Sequence, residues 1–369
     1  MILANPMKSF LLPHSMHEES MHEGSWADFQ QECHHIDQTL NANAHGVHPI
    51  IADISTRKGK ELRAQLVFFT AQLLRNIQTD HHRLACVIEY LHWASLLHDD
   101  VLDQGQMRRQ EPCMHRQYGN TLAILGGDWY VAQAFSLVLT LQDRRVMETV
   151  QGVMKPLVQG QMMDCSMASD IGQDQYLTMI GYKTAELFAV SAQAAAMISG
   201  ASHAIIHTLM QFGYAMGMAY QLKDDGAEYA APVESWDFGH DFCQNKVTLP
   251  WILTRQSCSV AQWNDILDIQ KMVCTQNDSI DPVLTQAGGN IGAFLSSAPG
   301  LTPSWSAVAY PPKPFSPKQL DLLCRIQILF QEGVNQTNAL AQRYKDQGTT
   351  ALESWPEESI QPLLQWGSF

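Results

Sequence analysis

The sequence predicts an all-α protein, and three observations carry that prediction. From Trp26 onward, apolar residues recur at helical spacing almost throughout. Alternating strand-like runs and Asn-Gly hairpin signals are missing. Several segments are apolar nearly all round, as central helices with helices on every side should be. Hydrophobic side chains make up 46% of the 369 residues, enough for one large core, and composition gives no reason to split the chain.

Each element follows in order. Residues 1–24 hold a tandem echo, Ser15-Met16-His17-Glu18-Glu19 and Ser20-Met21-His22-Glu23-Gly24. His14, His17 and His22 are read as part of a flexible polar tail rather than a metal site. Helical periodicity then covers 66–74, 84–97, 122–139, 150–163, 187–198 and 205–222. Between 281 and 317 it stops. Gly288-Gly289, Pro299-Gly300, Pro303, Pro311-Pro312 and Pro314 mark an irregular insertion there. Helical spacing returns over 318–345, and a short helix is expected near 358–366. The expected organisation is a tail over 1–24 and a single all-α domain over 25–369 with that insertion.

Two acidic clusters interrupt this apolar pattern: Asp99-Asp100-Val101-Leu102-Asp103 and Asp224-Asp225-Gly226-Ala227-Glu228. Each places carboxylates at i, i+1 and i+4, so i and i+4 stack on one helix face with i+1 beside them. Unpaired carboxylates are costly to bury and repel one another. Two such clusters set against a core call for a strong cation between them. Hard oxygen ligands that leave room for water and phosphate suit Mg²⁺ better than zinc. The residues therefore suggest a diphosphate clamped between two carboxylate walls through magnesium.

Bulk composition narrows the partners. The formal net charge of −14 argues against nucleic acid, which needs a basic face. Charged residues are only 16%, against about 25% on average, so an anionic substrate must be drawn by a local positive patch. The eight cysteines, at 33, 86, 113, 165, 243, 258, 274 and 324, show no CxxC pair and read as reduced, mostly buried thiols. The first residues carry too short an apolar run for a secretory signal, and no stretch reaches the roughly 18 apolar residues of a membrane span. A cytoplasmic protein is expected.

Cations and polar groups of the kind a diphosphate needs surround both clusters. Arg108-Arg109 follows the first, and adjacent arginines can serve two different phosphates. Lys60 and Arg63 lie upstream beside Gly59, and His92 sits seven residues, two turns, before Asp99. Lys183-Thr184 opens another apolar helix, Gln221 stands three residues before Asp224, and Lys246 follows the second cluster. Taken singly, an arginine pair is usually a solvated surface, a lysine can snorkel, and a lone histidine is more often a satisfied core residue. The ordered set is far more specific.

As a set, these motifs resemble the trans-isoprenyl diphosphate synthases of the polyprenyl synthetase family. The matching stretches are Gly59–Arg63, Glu89–Asp103, Arg108-Arg109, Gly126-Gly127-Asp128, Lys183-Thr184-Ala185, Tyr220–Tyr229 and Gly239-His240-Asp241 through Lys246-Val247-Thr248-Leu249-Pro250. The resemblance spans about 26–280. It implies a bundle of mostly antiparallel helices around a deep central cavity, as a homodimer. By the family pattern Asp99, Asp100, Asp103, Asp224, Asp225 and Glu228 hold Mg²⁺, three ions in all. Arg108, Lys183 and Lys246 grip an allylic prenyl diphosphate, with Gln221 and Thr184. Lys60, Arg63, His92 and Arg109 hold isopentenyl diphosphate. The implied reaction ionises the allylic C–O bond, adds the isopentenyl double bond head-to-tail and loses a proton, with no enzyme nucleophile. A convincing Ser-His-Asp or Cys-His arrangement is indeed absent from the sequence.

Product length is read from the helix that carries the first cluster. Ala94 and Ser95, then Tyr90 and Leu91, then Val87 are expected to line the growing chain. Small residues at 94 and 95 lack the aromatic floor of short-chain relatives, and the first cluster lacks their two-residue insertion, so a long-chain product is expected. Such a product brings transient membrane contact into question at release. Departures from the pattern are Lys58 for glycine, Glu61 for arginine, Ala64 for proline, Glu228 for aspartate, and Gly226, worth about 1 kcal/mol against alanine in a helix. Two other readings compete: a class I terpene cyclase, which needs no isopentenyl pocket and so leaves Lys60, Arg63, His92 and Arg109 unexplained, and a non-catalytic subunit of a heteromeric synthase.

Overall fold

The computed structural model describes residues 25–41, 49–56, 59–105, 107–108, 111–168, 170–231, 233, 240–243, 246–274 and 317–367. The expected tail, most of the 281–317 insertion and Arg109 lie outside the described residues. The fold is all-α. Helices α1 (Trp26–Asn41), α2 (Pro49–Thr56), α3 (Leu62–Leu73) and α4 (Thr79–Leu102) lead to a two-residue β-pair, Met107–Arg108 with Glu111–Pro112. Then come α5 (Met114–Tyr118), α6 (Asn120–Val138), α7 (Arg144–Cys165), α8 (Gln173–Ile180), a π-helical turn (Gly181–Ala185) and α9 (Glu186–Ile198). The last are α10 (His203–Ala230), α11 (His240–Cys243), α12 (Leu249–Ser257), α13 (Val260–Cys274), α14 (Pro317–Ala351) and α15 (Glu357–Trp366).

Two long helices organise the rest. Along α4, with 24 residues, and its capping residue, His92, Ser95, Leu96, Asp99 and Asp103 form a partly accessible stripe, while Leu84, Val87, Ile88, Leu91, Ala94 and Leu97 are buried. α4 packs against α6, α3, α1 and α9, and their shared core includes Phe68, Leu84, Val87, Ile88, Leu187 and Val190. α10, with 28 residues, lies between α9 and α14. Both acidic clusters fall at the C-terminal ends of these helices, where the helix dipole is negative. The carboxylates thus add to an already negative environment.

Gly226, a helix weakener by sequence, has a packing reason. A Cβ there would meet Asn338 Oδ1 of α14 at 2.7 Å. Gly160 acts similarly, since a Cβ on it would collide with the backbone of Lys183. That close approach lets α7 press against the π-helical turn, a form often found at functional sites. Among the described residues, no helix is long and apolar enough to cross a membrane.

The start of α4 is pinned by His81, which is fully buried. Its Nδ1 accepts the Gln78 backbone N–H at 3.0 Å, and its Nε2 donates to the Ala195 carbonyl at 3.0 Å. Both nitrogens are used by the neutral ring, and burial lowers its pKa to about 4 from 6.5. The folded state therefore binds fewer protons than the unfolded chain between these values. Stability from this residue is complete above pH 6.5 and lost as pH falls towards 4. Melting temperatures measured across that range should fall more steeply for the wild type than for His81→Gln; parallel slopes would contradict the assignment.

Candidate active site

The two clusters share one design. In the first, Asp99 and Asp103 lie on the accessible stripe of α4, whereas Asp100 is only 5% exposed. In the second, Asp224 is open to the cleft and Glu228 half-buried, whereas Asp225 is only 3% exposed. Each middle acid is held from behind. The short β-pair turns Arg108 back over α4, so that its Nε and Nη2 donate to Asp100 Oδ1 at 2.9 and 2.7 Å. Tyr176 of α8 donates its hydroxyl to Asp225 Oδ2, and Gln221 Nε2 donates to Asp225 Oδ1 at 2.9 Å. Of the six acids expected at the metal, four lie open or partly open and two are buried against protein partners. Asp100 and Asp225 are braces.

Two bridges then join the walls. Lys183, on the π-helical turn, places its Nζ 2.6 Å from Asp164 and 3.6 Å from Asp99. The next residue, Thr184, donates to Gln221 Oε1 at 2.9 Å, and Gln221 in turn holds Asp225. Neighbouring residues of one turn therefore reach the two clusters separately. The second bridge is Lys246, 2.7 Å from Asp103 and 3.6 Å from Asp241. Glu228 Oε1 accepts the backbone N–H groups of Asp241 and Phe242 at 2.7 and 3.3 Å. The first cluster thus reaches the second through Lys246 and Asp241.

Electrostatics report the same crowding. Burial raises the Asp99 pKa, against the pull of Lys183. Asp224 has solvent on one side, yet the surrounding cleft raises its pKa, followed by repulsion from Asp241; Lys60, Arg108 and Lys246 oppose this. Burial pushes Asp225 to about 7 despite both hydrogen bonds. Burial, then Asp241, raises Glu228 too. On the cation side, burial opposes the charge of Lys183, but Asp99 and Asp164 outweigh it and hold the ammonium above the ordinary lysine range. Lys246 is raised in the same way by Asp241 and Asp103. The cleft is an acid-rich site in which three cations pair with the carboxylates.

Metal fit can be judged from the donors. The open acids offer hard carboxylate oxygens. Among the described residues, no three carboxylate, imidazole or thiol groups converge on one point. A metal here would take few protein ligands and fill its shell with water and substrate oxygens, which is the habit of Mg²⁺. Asp99, Asp103, Asp224 and Glu228 fit that role.

Arg63 provides the other anion-binding feature. It begins α3, is 8% exposed, and lays its guanidinium over the Phe188 ring at 4.3 Å. Its Nε has no hydrogen-bond partner within the protein. Stacking through the ring face leaves the in-plane Nε–H directed away from Phe188, as anion binding requires. Lys60 is exposed just before it, and His92 is half-buried on the Asp99 face of α4.

A family model described as Polyprenyl synthetase matches residues 46–286, which include both clusters, both bridges and Arg63. The chain belongs to the polyprenyl synthetase family. Solanesyl-diphosphate synthase 2, chloroplastic, of Oryza sativa is 36% identical over 208 residues, 54% of this chain and 52% of that relative. Octaprenyl diphosphate synthase of Haemophilus influenzae is 28% identical over 272 residues, 68% of this chain and 83% of the relative. The chain spans about half the length of the plant relatives it matches. A polyprenyl synthase structure from Caulobacter crescentus, solved with calcium and isoprenyl diphosphate, shares the fold at a TM-score of 0.66 and 23% identity, covering 91% of this chain and 96% of that one.

Within this polyprenyl synthetase fold, the structure also places residues that sequence reasoning left without a role. Asp164 anchors Lys183, Tyr176 anchors Asp225, and Asp241 anchors Lys246. Asp241 had a local signal, since it sits in the Gly239-His240-Asp241 match; Asp164 and Tyr176 had none beyond helical spacing. The residues expected to line the product sit differently from one another on α4. Nine residues is two and a half turns, so Tyr90 falls opposite Asp99. Its hydroxyl donates to Asp37 of α1 at 2.7 Å, and its ring packs on Trp93 and Tyr130. Ala94 is 2% exposed, and Ser95 alone of that pair lies on the accessible stripe.

The Tyr176 brace can be measured directly. Tyr176→Phe removes a hydrogen bond to a buried carboxylate, and urea unfolding should show a loss of about 1.5–3 kcal/mol. A loss under about 0.5 kcal/mol would mean that Asp225 is held by other means.

Proposed function

We propose that this chain is a Mg²⁺-dependent prenyltransferase. It joins isopentenyl diphosphate head-to-tail, in trans, to an allylic prenyl diphosphate and makes a long-chain polyprenyl diphosphate. One observation carries the reading: two open pairs of carboxylates are brought together, with Lys183 on Asp99 and Lys246 on Asp103 as the positive charge between them. Asp99, Asp103, Asp224 and Glu228 are assigned to Mg²⁺, three ions on the family pattern. When bound, Mg²⁺ supplies the positive charge that stabilises the departing diphosphate.

The protein's own groups do the rest. Lys183 and Lys246 move from carboxylate partners to diphosphate oxygens, an exchange between like anions, while Arg108 stays on Asp100 through Nε and Nη2 and offers its remaining N–H groups. Thr184 and Gln221 keep the second wall in register with that diphosphate. Lys60, Arg63, His92 and Arg109 hold isopentenyl diphosphate, and the free Nε and stacked guanidinium of Arg63 suit that task. A terpene cyclase has no use for this second anion site. The core between the helices excludes water from the carbocation, and the departing diphosphate accepts the final proton.

The product is assigned to run from the cleft along the α4 face that carries Ser95 and Leu91, towards Ile88 and Val87. The occurrence of solanesyl and octaprenyl synthases among the relatives supports a long chain. A second copy of the chain is the proposed cover for α6, which turns Ile124, Leu125 and Phe135 outward. The six cysteines whose side chains are described form no disulfide with one another, in keeping with a reducing compartment such as the cytoplasm. A long apolar product then calls for delivery to a membrane surface.

Purified protein with Mg²⁺, isopentenyl diphosphate and farnesyl diphosphate should yield long prenyl diphosphates on sizing. Asp99→Ala should reduce turnover at least about 10³-fold, about 4 kcal/mol of transition-state stabilisation, with the fold retained by circular dichroism. An unchanged rate in Asp99→Ala, or no condensation by the wild type, contradicts the reading. For chain length, Ser95→Phe should shorten the products. Ala94→Phe should instead destabilise the protein by about 1–3 kcal/mol through overpacking. Products of unchanged length from a folded Ser95→Phe variant would overturn the assigned path.

A further inference from the structure

Two of the scattered cysteines meet in the fold. Cys33 of α1 and Cys86 of α4 face each other across the contact between these helices. Cys86 Sγ lies 3.4 Å from the Cys33 carbonyl oxygen, and Cys33 Sγ lies 3.6 Å from the carbonyl of His82, one turn before Cys86. Each thiol is thus directed at the backbone of the other's helix. Both line a small cleft of about 50 Å³, whose walls include Trp26, Gln30 and Trp93. Cys86 is buried, while Cys33 is half-buried. One thiol is therefore reachable from the cleft and the other waits behind it.

We propose that Cys33 and Cys86 form a dithiol that a small-molecule disulfide, of the oxidised glutathione type, converts to a disulfide stapling α1 to α4. The Cys33 thiolate attacks one sulfur of the oxidant, forms a mixed disulfide and expels one thiolate, which takes up a proton. Cys86, deprotonated in turn, attacks the Cys33 sulfur and expels the second thiolate. Two protein thiols are oxidised to one disulfide and the oxidant is reduced to two thiols. A disulfide needs Cβ atoms about 3.5–4.5 Å apart, and each sulfur already lies within 3.6 Å of a backbone oxygen at or one turn from the other cysteine. Closing a loop of about fifty residues should stabilise the folded chain.

The staple has a route to the anion site. Gln30 of α1 donates to Glu61 Oε2 at 2.6 Å, and Glu61 is a left-handed residue (φ 51°) between Lys60 and Arg63. Locking α1 therefore fixes the turn that presents both cations. This consequence rests on the isopentenyl role proposed for them, whereas the chemistry of the dithiol does not.

Reduced full-length protein would be incubated with oxidised glutathione near pH 8 and mapped by mass spectrometry after blocking of free thiols. The expected result is a Cys33–Cys86 cross-linked peptide pair, an intact chain lighter by two hydrogens at that pair, reversal by dithiothreitol, and a melting temperature a few degrees higher. Exposed Cys165 and Cys324 report that the oxidant is active by taking glutathione adducts. Cys33→Ser and Cys86→Ser should each abolish the cross-link. Because the mapping is done on the wild type, poor folding of either variant leaves its outcome intact. Cys33 that remains a thiol, stops at the glutathione adduct or pairs with another cysteine would overturn the proposal.

Discussion

Carboxylate repulsion at the ends of two helices is the constraint around which this protein is built. α4 and α10 both terminate in acids, and each dipole makes its own terminus still more negative. Folding brings these termini into one cleft, where burial raises Asp99, Asp225 and Glu228 above the ordinary carboxylate range. Such an arrangement is tolerable only if positive charge enters from elsewhere. Arg108, Lys183 and Lys246 supply part of it from three different segments.

The division of labour within each cluster follows from helix geometry. Residues at i and i+4 share the open face, and i+1 turns into the protein. A buried i+1 carboxylate must be paired, and here it is used as an anchor: Asp100 fixes Arg108, while Asp225 fixes Gln221 and Tyr176. Lys183 and Thr184 are adjacent on the π-helical turn, and their side chains diverge. One goes to Asp99 and Asp164, the other to Gln221. Gly160 makes room for that turn, so a glycine on α7 contributes to a site it does not touch chemically.

Much of this was legible in the sequence because it depends on local spacing. Helical periodicity indicated the fold class, and the i, i+1, i+4 acids with their cations indicated the cleft. The remainder depends on contacts between distant segments. Asp164 lies 19 residues from Lys183, and Tyr176 lies 49 residues from Asp225, with no local pattern to link them. Proximity in sequence groups Tyr90 with Asp99, whereas the half-turn remainder of the spacing sends it to Asp37 on α1. Gly226 reads as a defect in its own helix, yet Asn338, more than a hundred residues away, occupies the space a side chain would need.

In the proposed mechanism Lys183 and Lys246 give up their carboxylate partners when metal and substrate bind. The most direct test of that exchange is a crystal structure with Mn²⁺ in place of Mg²⁺ and a non-hydrolysable allylic thiolodiphosphate. Anomalous peaks should lie between the Asp99–Asp103 and Asp224–Glu228 faces, with Lys183 and Lys246 shifted from carboxylates onto diphosphate oxygens. Metal confined to one helix, or lysines still paired with Asp164 and Asp103 beside a bound diphosphate, would contradict it.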